Sequence, residues 1–342
     1  MAPHNLLLAI LICSSIQTDL FHLQSAEASM ATASLSRCQR KCGDVEIPYP
    51  FGIDKGCYLD EAFEVICDDR TGSASIPSLH GEVGTISISN HTLQYKKGQV
   101  LPLPFNKTGE SMYGHSFDLN YLGNHYSISH TDNKFVALGC DFYAYLVDAE
   151  TKDLLGGCAS LCNRRDITPS PSSSCSGLNC CYMNFERDLR NITLNVDTIN
   201  TLTKSWGCGF FTFVDKGFPL DKINFSVCDD VLYSVPVVFG WMVGNTSCGE
   251  ATGEDDCICG DNTVCIDSET RNGYRCKCRD GFTGNPYVRE GCQDFDECAD
   301  QKDNNCGMKS VCINMEGSYF CLPSHKRILA MLLTLGKFFC IF

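Results

Sequence analysis

Twenty-five cysteines in 342 residues constrain this chain more than any other feature. In a reducing compartment such a count would suggest metal sites; in an oxidising one it means disulfides. The N-terminus decides between them. Leu6–Ile12 is wholly apolar yet too short to span a bilayer, and the small residues after it include the A-x-A-like Ala26-Glu27-Ala28. The polar stretch that continues through Ser36 has no helical apolar stripe. A secretory signal peptide is therefore expected over residues 1–28, with only His4 to supply positive charge at its start. The chain is read as secreted, in the extracellular space or cell wall. Sequons at Asn90, Asn106, Asn191, Asn224 and Asn245 agree with a glycosylated surface, and none falls in the cysteine-dense C-terminal region.

Charge removes other classes. A formal net charge of −14 excludes a generic nucleic-acid binder, which needs a basic footprint. Acidic residues outnumber basic ones between Glu250 and Asp303, whereas Arg37, Arg40, Lys41 and Lys55 form a local basic exception.

The middle of the chain reads as β. Thr85–Ser89 alternates in period two, and Phe135–Leu138, Tyr143–Val147, Ile192–Val196 and Phe210–Val214 are short β-branched or aromatic runs punctuated by Gly, Asn, Asp and Pro. Phe63, Val65 and Ile66 suggest a further half-buried strand. No segment carries a long 3.6-residue stripe with caps. The adjacent Cys180 and Cys181 are expected to bond separate partners and so tie two strands at one point, since nothing indicates the depressed pKa of a reactive thiol.

Several stretches carry a family resemblance. Cys42–Ile53 (CGDVEIPYPFGI), Cys57 and Phe63–Cys67 (FEVIC) resemble the galacturonan-binding module of plant wall-associated receptor kinases. Ala137–Asp141, Gly157–Cys162 and Cys175–Cys181 are similar to that family's middle region, and Trp206–Val214 and Val235–Cys248 to its extracellular extension. The resemblance implies a galacturonan-binding-like domain over 38–140, the extension over 141–247, an EGF-like module over 248–292 and a calcium-binding EGF-like module over 294–321. The fold class it predicts is mostly β and disulfide-rich, with N-terminal β-sandwich-like domain(s) followed by two small EGF-like modules, the second incomplete. It also implies pectin or oligogalacturonides as partner. Arg37, Arg40 and Lys41 would meet carboxylates through charge-assisted hydrogen bonds, and Tyr49 and Phe51 would offer flat faces to sugar rings. The alternative stays open that Tyr49 and Phe51 are core and the basic residues an ordinary solvated face.

In the first EGF-like module the resemblance implies Cys248–Cys265 and Cys278–Cys292. Cys276 then takes Cys259 or Cys257; Cys259 has the better spacing, which leaves Cys257 spare. In the second it implies Cys298–Cys312 and Cys306–Cys321. Asp294-Phe295-Asp296-Glu297 before Cys298, and Asn314 after Cys312, place oxygen donors on both sides of a disulfide knot, as a hard cation requires. The resemblance implies Asp294, Glu297 and Asn314 as side-chain ligands and carbonyls of Phe295, Met315 and Ser318, holding a structural calcium ion weakly, at about 10⁻⁴ to 10⁻³ M. The last two cysteines of the module are missing after Cys321, where Leu322-Pro-Ser-His follows. The apolar tail over 326–342, interrupted by Lys337, is shorter than a spanning helix, so a membrane anchor there is not expected.

The sequence holds no glycine-rich phosphate loop, VAIK-like lysine, HRD or DFG, and no HExxH or GxSxG. The family's kinase domain is not in this chain, and no enzyme is expected. The function expected is cell-wall pectin binding by a receptor-like extracellular region. The alternative is a protein-interaction module or decoy that pairs with full-length wall-associated receptor kinases.

Overall fold

The computed structural model describes residues 37–79, 81–99, 101–102, 115–118, 125–161, 175–199, 209–220, 234–251, 257–268, 273–307 and 310–323. The expected signal peptide and tail, Asn106 and Asn224 lie outside these residues. The described chain is mostly β and rich in disulfides, with two single-turn 3-10 helices at Glu61–Phe63 and Pro77–Leu79. It divides into two compact units, residues 1–247 with 267–275, and residues 248–266 with 276–342.

The first unit opens with two ribbons, β1 (Lys41–Cys42) with β2 (Val45–Glu46), and β3 (Ile66–Asp68) with β4 (Ser73–Ser75). Cys38–Cys57 and Cys42–Cys67 cross-link this region. Then follow β5 (Val83–Ser87), β6 (Thr92–Gln99), β7 (Leu101–Pro102), β8 (His115–Asp118), β9 (Tyr126–Ile128), β10 (Asn133–Leu138), β11 (Phe142–Asp148), β12 (Leu154–Ser160), β13 (Cys180–Met183), β14 (Asn191–Thr198), β15 (Phe210–Asp215) and β16 (Ser234–Trp241). They make three antiparallel four-stranded sheets in the orders β5-β6-β16-β9, β13-β10-β15-β7 and β12-β11-β14-β8.

The side-chain pattern explains which strands are central. In β10 every residue from Phe135 to Leu138 is buried, so both faces of that strand must be apolar. β11 and β14 instead alternate. Phe142, Ala144 and Leu146 and, beside them, Ile192, Leu194 and Val196 face inward, while Tyr143, Tyr145, Asn195 and Asp197 face outward. Val136, Leu138, Phe210, Val214 and Val235 form one apolar cluster with Cys175 and Cys180. Asn133 is fully buried and bonded at both ends of its amide: Nδ2 donates to the Ser129 and Val238 carbonyls at 2.7 and 2.6 Å, and Oδ1 accepts from Val238 N at 2.9 Å. Cys180 pairs with Cys175 and Cys181 with Cys158 of β12, so the adjacent cysteines bond separate partners, only one of them on another strand.

The N-terminal ribbons share their core with β16. Trp241, at the end of that strand and 0% exposed, meets Phe51 edge-on at 5.3 Å and Phe63 at 6.1 Å, and Phe51 meets Phe63 at 5.1 Å. The strand expected over Phe63–Ile66 starts only at Ile66, because Asp60 Oδ1 accepts Ala62 N at 2.8 Å and caps a single helical turn ending at Phe63. In the same unit Asp188 gathers Ser127 Oγ, His130 N and His130 Nδ1, with Arg275 Nη2 at 3.5 Å. Burial raises the pKa of this carboxyl; the two hydrogen bonds from His130 and the charge of Arg275 outweigh it and hold the pKa below its ordinary value.

The second unit is built from hairpins and sulfur. Its strands are β17 (Thr263–Asp267, whose last residue lies in the first unit), β18 (Tyr274–Cys278, whose first two residues do likewise), β19 (Phe282–Gly284), β20 (Cys292–Asp294), β21 (Ser310–Met315) and β22 (Ser318–Pro323). Disulfides join Cys248–Cys265, Cys259–Cys276, Cys278–Cys292, Cys298–Cys312 and Cys306–Cys321. Among the described residues of this unit Tyr287 is the one large ring that is buried, and its hydroxyl accepts Cys276 N at 3.0 Å.

Candidate functional site

Two places hold the residues singled out in the sequence. At the N-terminal module, Arg37 and Lys41 are exposed and Arg40 and Tyr49 half-buried. The β1–β2 register sets Lys41 directly opposite Glu46. Arg40 Nη1 donates to the Phe51 carbonyl at 3.4 Å. Burial pulls the Arg40 pKa down, and the neighbouring Tyr49 opposes that shift. The Tyr49 hydroxyl is pushed up by burial and then by Asp60, with Arg40 acting the other way. Arg40, Tyr49 and Asp60 thus form one electrostatic group. Asp60 was not legible as part of it, because it approaches only through the fold.

Phe51 does not belong on this surface. It is 0% exposed and packed between Phe63 and Trp241, so it has no ring face to offer a ligand. Its place as a sugar-stacking residue is corrected to core. Of the sequons described, Asn90 and Asn245 are exposed in turns, and Asn191 is half-buried at the start of β14.

The second place lies in the second unit, where β20 ends at Asp294 beside the turn of the β21–β22 hairpin. Asp294 Oδ2 accepts from Asn314 Nδ2 at 2.6 Å, and Asp294 Oδ1 accepts from Gly317 N at 2.5 Å. Gly317 adopts a left-handed φ of 74°, and a side chain there would strike the Phe282 ring. Met315 and Ser318 face one another across the hairpin, next to Asn314 and Tyr319. Phe295 N donates to the Gly281 carbonyl at 2.8 Å. Asn304 Nδ2 donates to the Glu297 carbonyl at 2.8 Å. The side chain of Glu297 is another matter: the residue is 9% exposed and its Oε2 is buried with no hydrogen-bond partner. A buried carboxylate oxygen without a donor is costly unless a cation meets it. Two carboxylates, an amide and nearby carbonyls are donors of the kind a hard divalent ion takes, so the chemistry of these residues fits calcium.

Among the described residues one further cluster has the spacing of a metal site, Cys257, Cys259 and Cys265, with sulfurs within 4.8 Å of one another. Cys259 and Cys265 are spent in disulfides and offer no thiolate, while Cys257 is free. The cluster does not fit a metal.

Residues 38–97 match the family described as wall-associated receptor kinase galacturonan-binding. Residues 294–326 match the calcium-binding EGF domain. Over 303 residues the chain is 32% identical to wall-associated receptor kinase 5 of Arabidopsis thaliana, covering 83% of this chain and 38% of that protein. This chain is a homologue of the wall-associated receptor kinases. Wall-associated receptor kinases 3 and 1 of the same plant are each 33% identical over 305 residues; the matches cover 82% and 83% of this chain and 39% and 38% of theirs. The wall-associated-kinase homologue therefore spans well under half the length of these relatives. Its galacturonan-binding match contains Arg40, Lys41 and Tyr49 but begins just after Arg37, and its calcium-binding match begins at Asp294 itself. No helix among the described residues is long and apolar enough to cross a membrane.

Proposed function

We propose that this chain is a non-catalytic, extracellular cell-wall protein that binds pectin. Its N-terminal module takes the carboxylates of de-esterified galacturonan on Arg40 and Lys41, with Arg37 extending the basic strip. Tyr49 lies beside the chain of sugars. A charge-assisted hydrogen bond from a half-buried guanidinium is stronger than one from a fully solvated cation. The observation that carries this reading is the placing of exposed Lys41 and half-buried Arg40 and Tyr49 inside the stretch matched to the galacturonan-binding family. Asp294, Glu297 and Asn314, with the carbonyls of Phe295, Met315 and Ser318, would hold a calcium ion. Bound there, the ion would supply charge to the Glu297 carboxylate and stiffen the β21–β22 hairpin against β20.

The test is titration of the purified chain with decagalacturonate at physiological salt. Saturable binding, weakened about tenfold or more in Arg40→Gln/Lys41→Gln, is the result expected. Binding that is absent in the native chain, or unchanged in the double variant, contradicts the reading.

One observation favours a second reading, a protein-interaction module that pairs with full-length wall-associated receptor kinases. Val311, Ile313, Met315 and Phe320 of the β21–β22 hairpin are 40–53% exposed, an apolar strip of a kind seen at interaction sites.

A further inference from the structure

The outer face of the β12-β11-β14 sheet carries a feature that the galacturonan module does not use. Tyr143 and Tyr145 stand two residues apart on the solvent side of β11 with near-parallel rings, 5.4 Å between centroids and 25° between planes. The phenol end of Tyr143 lies over Gly157 of β12: a Cβ at Gly157 would stand 2.5 Å from the tyrosine oxygen. The register pairs Tyr145 with Gly157 on that side. A glycine here leaves room for the ring to lie across the sheet, and Tyr143 keeps 37% of its surface exposed. On the other side, β14 sets Asp197 opposite Tyr143, Asn195 opposite Tyr145 and Thr193 opposite Val147, and all three side chains point the same way as the rings.

We propose that this face binds a neutral polysaccharide chain. The ring faces not turned toward each other present the negative side of their quadrupole to the C–H bonds of pyranose rings, which carry partial positive charge. Thr193, Asn195 and Asp197 stand at cross-strand distance to exchange hydrogen bonds with the sugar hydroxyls. Charge selects the class of glycan. β11, β12 and β14 contain no Lys or Arg, while Asp197 adds an exposed carboxylate. Asp148 at the end of β11 already holds Arg187 at 3.0 Å. A polyuronate would therefore set its own charge against Asp197 with no Lys or Arg on these three strands to answer it, and an uncharged chain meets no such penalty. The strands flanking the rings offer Gly, Ala, Thr, Asn and Asp, with exposed Leu154 opposite Val147 at one end.

The experiment titrates the glycosylated, secreted chain with cellohexaose, mannohexaose and xylohexaose, and with hexagalacturonate for comparison. At least one neutral hexasaccharide is expected to bind. Tyr143→Ala/Tyr145→Ala should weaken it about tenfold or more and leave hexagalacturonate binding as it was. Tyr143→Phe, which keeps the ring and the packing, should retain neutral-sugar binding and so separates loss of the platform from loss of the fold. Failure of all three neutral sugars to bind, or equal binding by the double Ala variant, overturns the proposal. So does binding that emerges only after enzymatic removal of N-glycans, which would mean that the sugar on Asn191, at the start of the same strand, is the occupant. Because Arg40→Gln/Lys41→Gln should affect hexagalacturonate alone, failure of this platform and failure of the pectin reading are told apart.

Discussion

Asp188 and Glu297 are two enclosed carboxylates with opposite surroundings. Asp188 has donors on both oxygens, from Ser127, His130 and Arg275, and its pKa is held down. A carboxyl with a depressed folded-state pKa contributes stability above its unfolded pKa of about 3.9 and loses it as pH falls through the folded value. Asp188→Asn should therefore cost about 1.5–3 kcal/mol at neutral pH and flatten the acid limb of a stability–pH curve measured by urea melts below pH 4 or so. An unchanged acid limb contradicts this account of Asp188. Glu297 instead has an oxygen with no donor. If calcium supplies the missing partner, a tenfold excess over its Kd stabilises the folded state by about 1.4 kcal/mol. Thermal melts of the native chain should shift upward with millimolar calcium, and those of Glu297→Gln should shift much less. Asp294, Glu297 and Asn314 could be proposed from the sequence because their residue types sit at fixed offsets around Cys298 and Cys312. It could not separate Tyr49 from Phe51: both are aromatic and two residues apart, and only the arrival of Trp241 from β16 decides which one is buried.

At the scale of elements, the strands that sequence periodicity marked were those with a strong inside–outside contrast, β11 and β14, or a wholly apolar run, β10. The stretch around Phe63 misled because a lone Asp cap, Asp60, turned it into a helical turn before the strand could begin. The pairing of β16 between β6 and β9 was beyond reach too, since a contact across so many residues leaves no local signature. That pairing makes a prediction about Phe51, which joins the N-terminal ribbons to the end of β16. Phe51→Ala should cost about 3–5 kcal/mol of stability. Among molecules that remain folded, its galacturonate affinity should match the native chain. A variant as stable as the native chain, yet defective in binding, would return Phe51 to the ligand surface.

Across the whole chain, sulfur and apolar packing divide the work by unit. The first unit has true cores, with Trp241, Phe63, Phe135 and Phe142 all at 0% exposure. The second leaves Val311, Ile313, Met315 and Phe320 at 40–53% exposure and relies on five disulfides between Cys248 and Cys321. Small loops of this kind gain stability mainly because cross-links restrict the unfolded chain, by roughly 3 kcal/mol for a loop of about 15 residues in the chain-entropy model. Such bonds persist in an oxidising space, which agrees with a protein working outside the cell. The proposed pectin binding rests on charge recognition at Arg40 and Lys41, and charge recognition can be switched off in the ligand without touching the protein. Calorimetric titration with decagalacturonate, first fully acidic and then fully methyl-esterified, removes the carboxylates and keeps the sugar rings. Affinity for the acidic form about tenfold or more above the esterified form, with the difference shrinking as salt is added, is the predicted result; equal affinity for the two forms would contradict it.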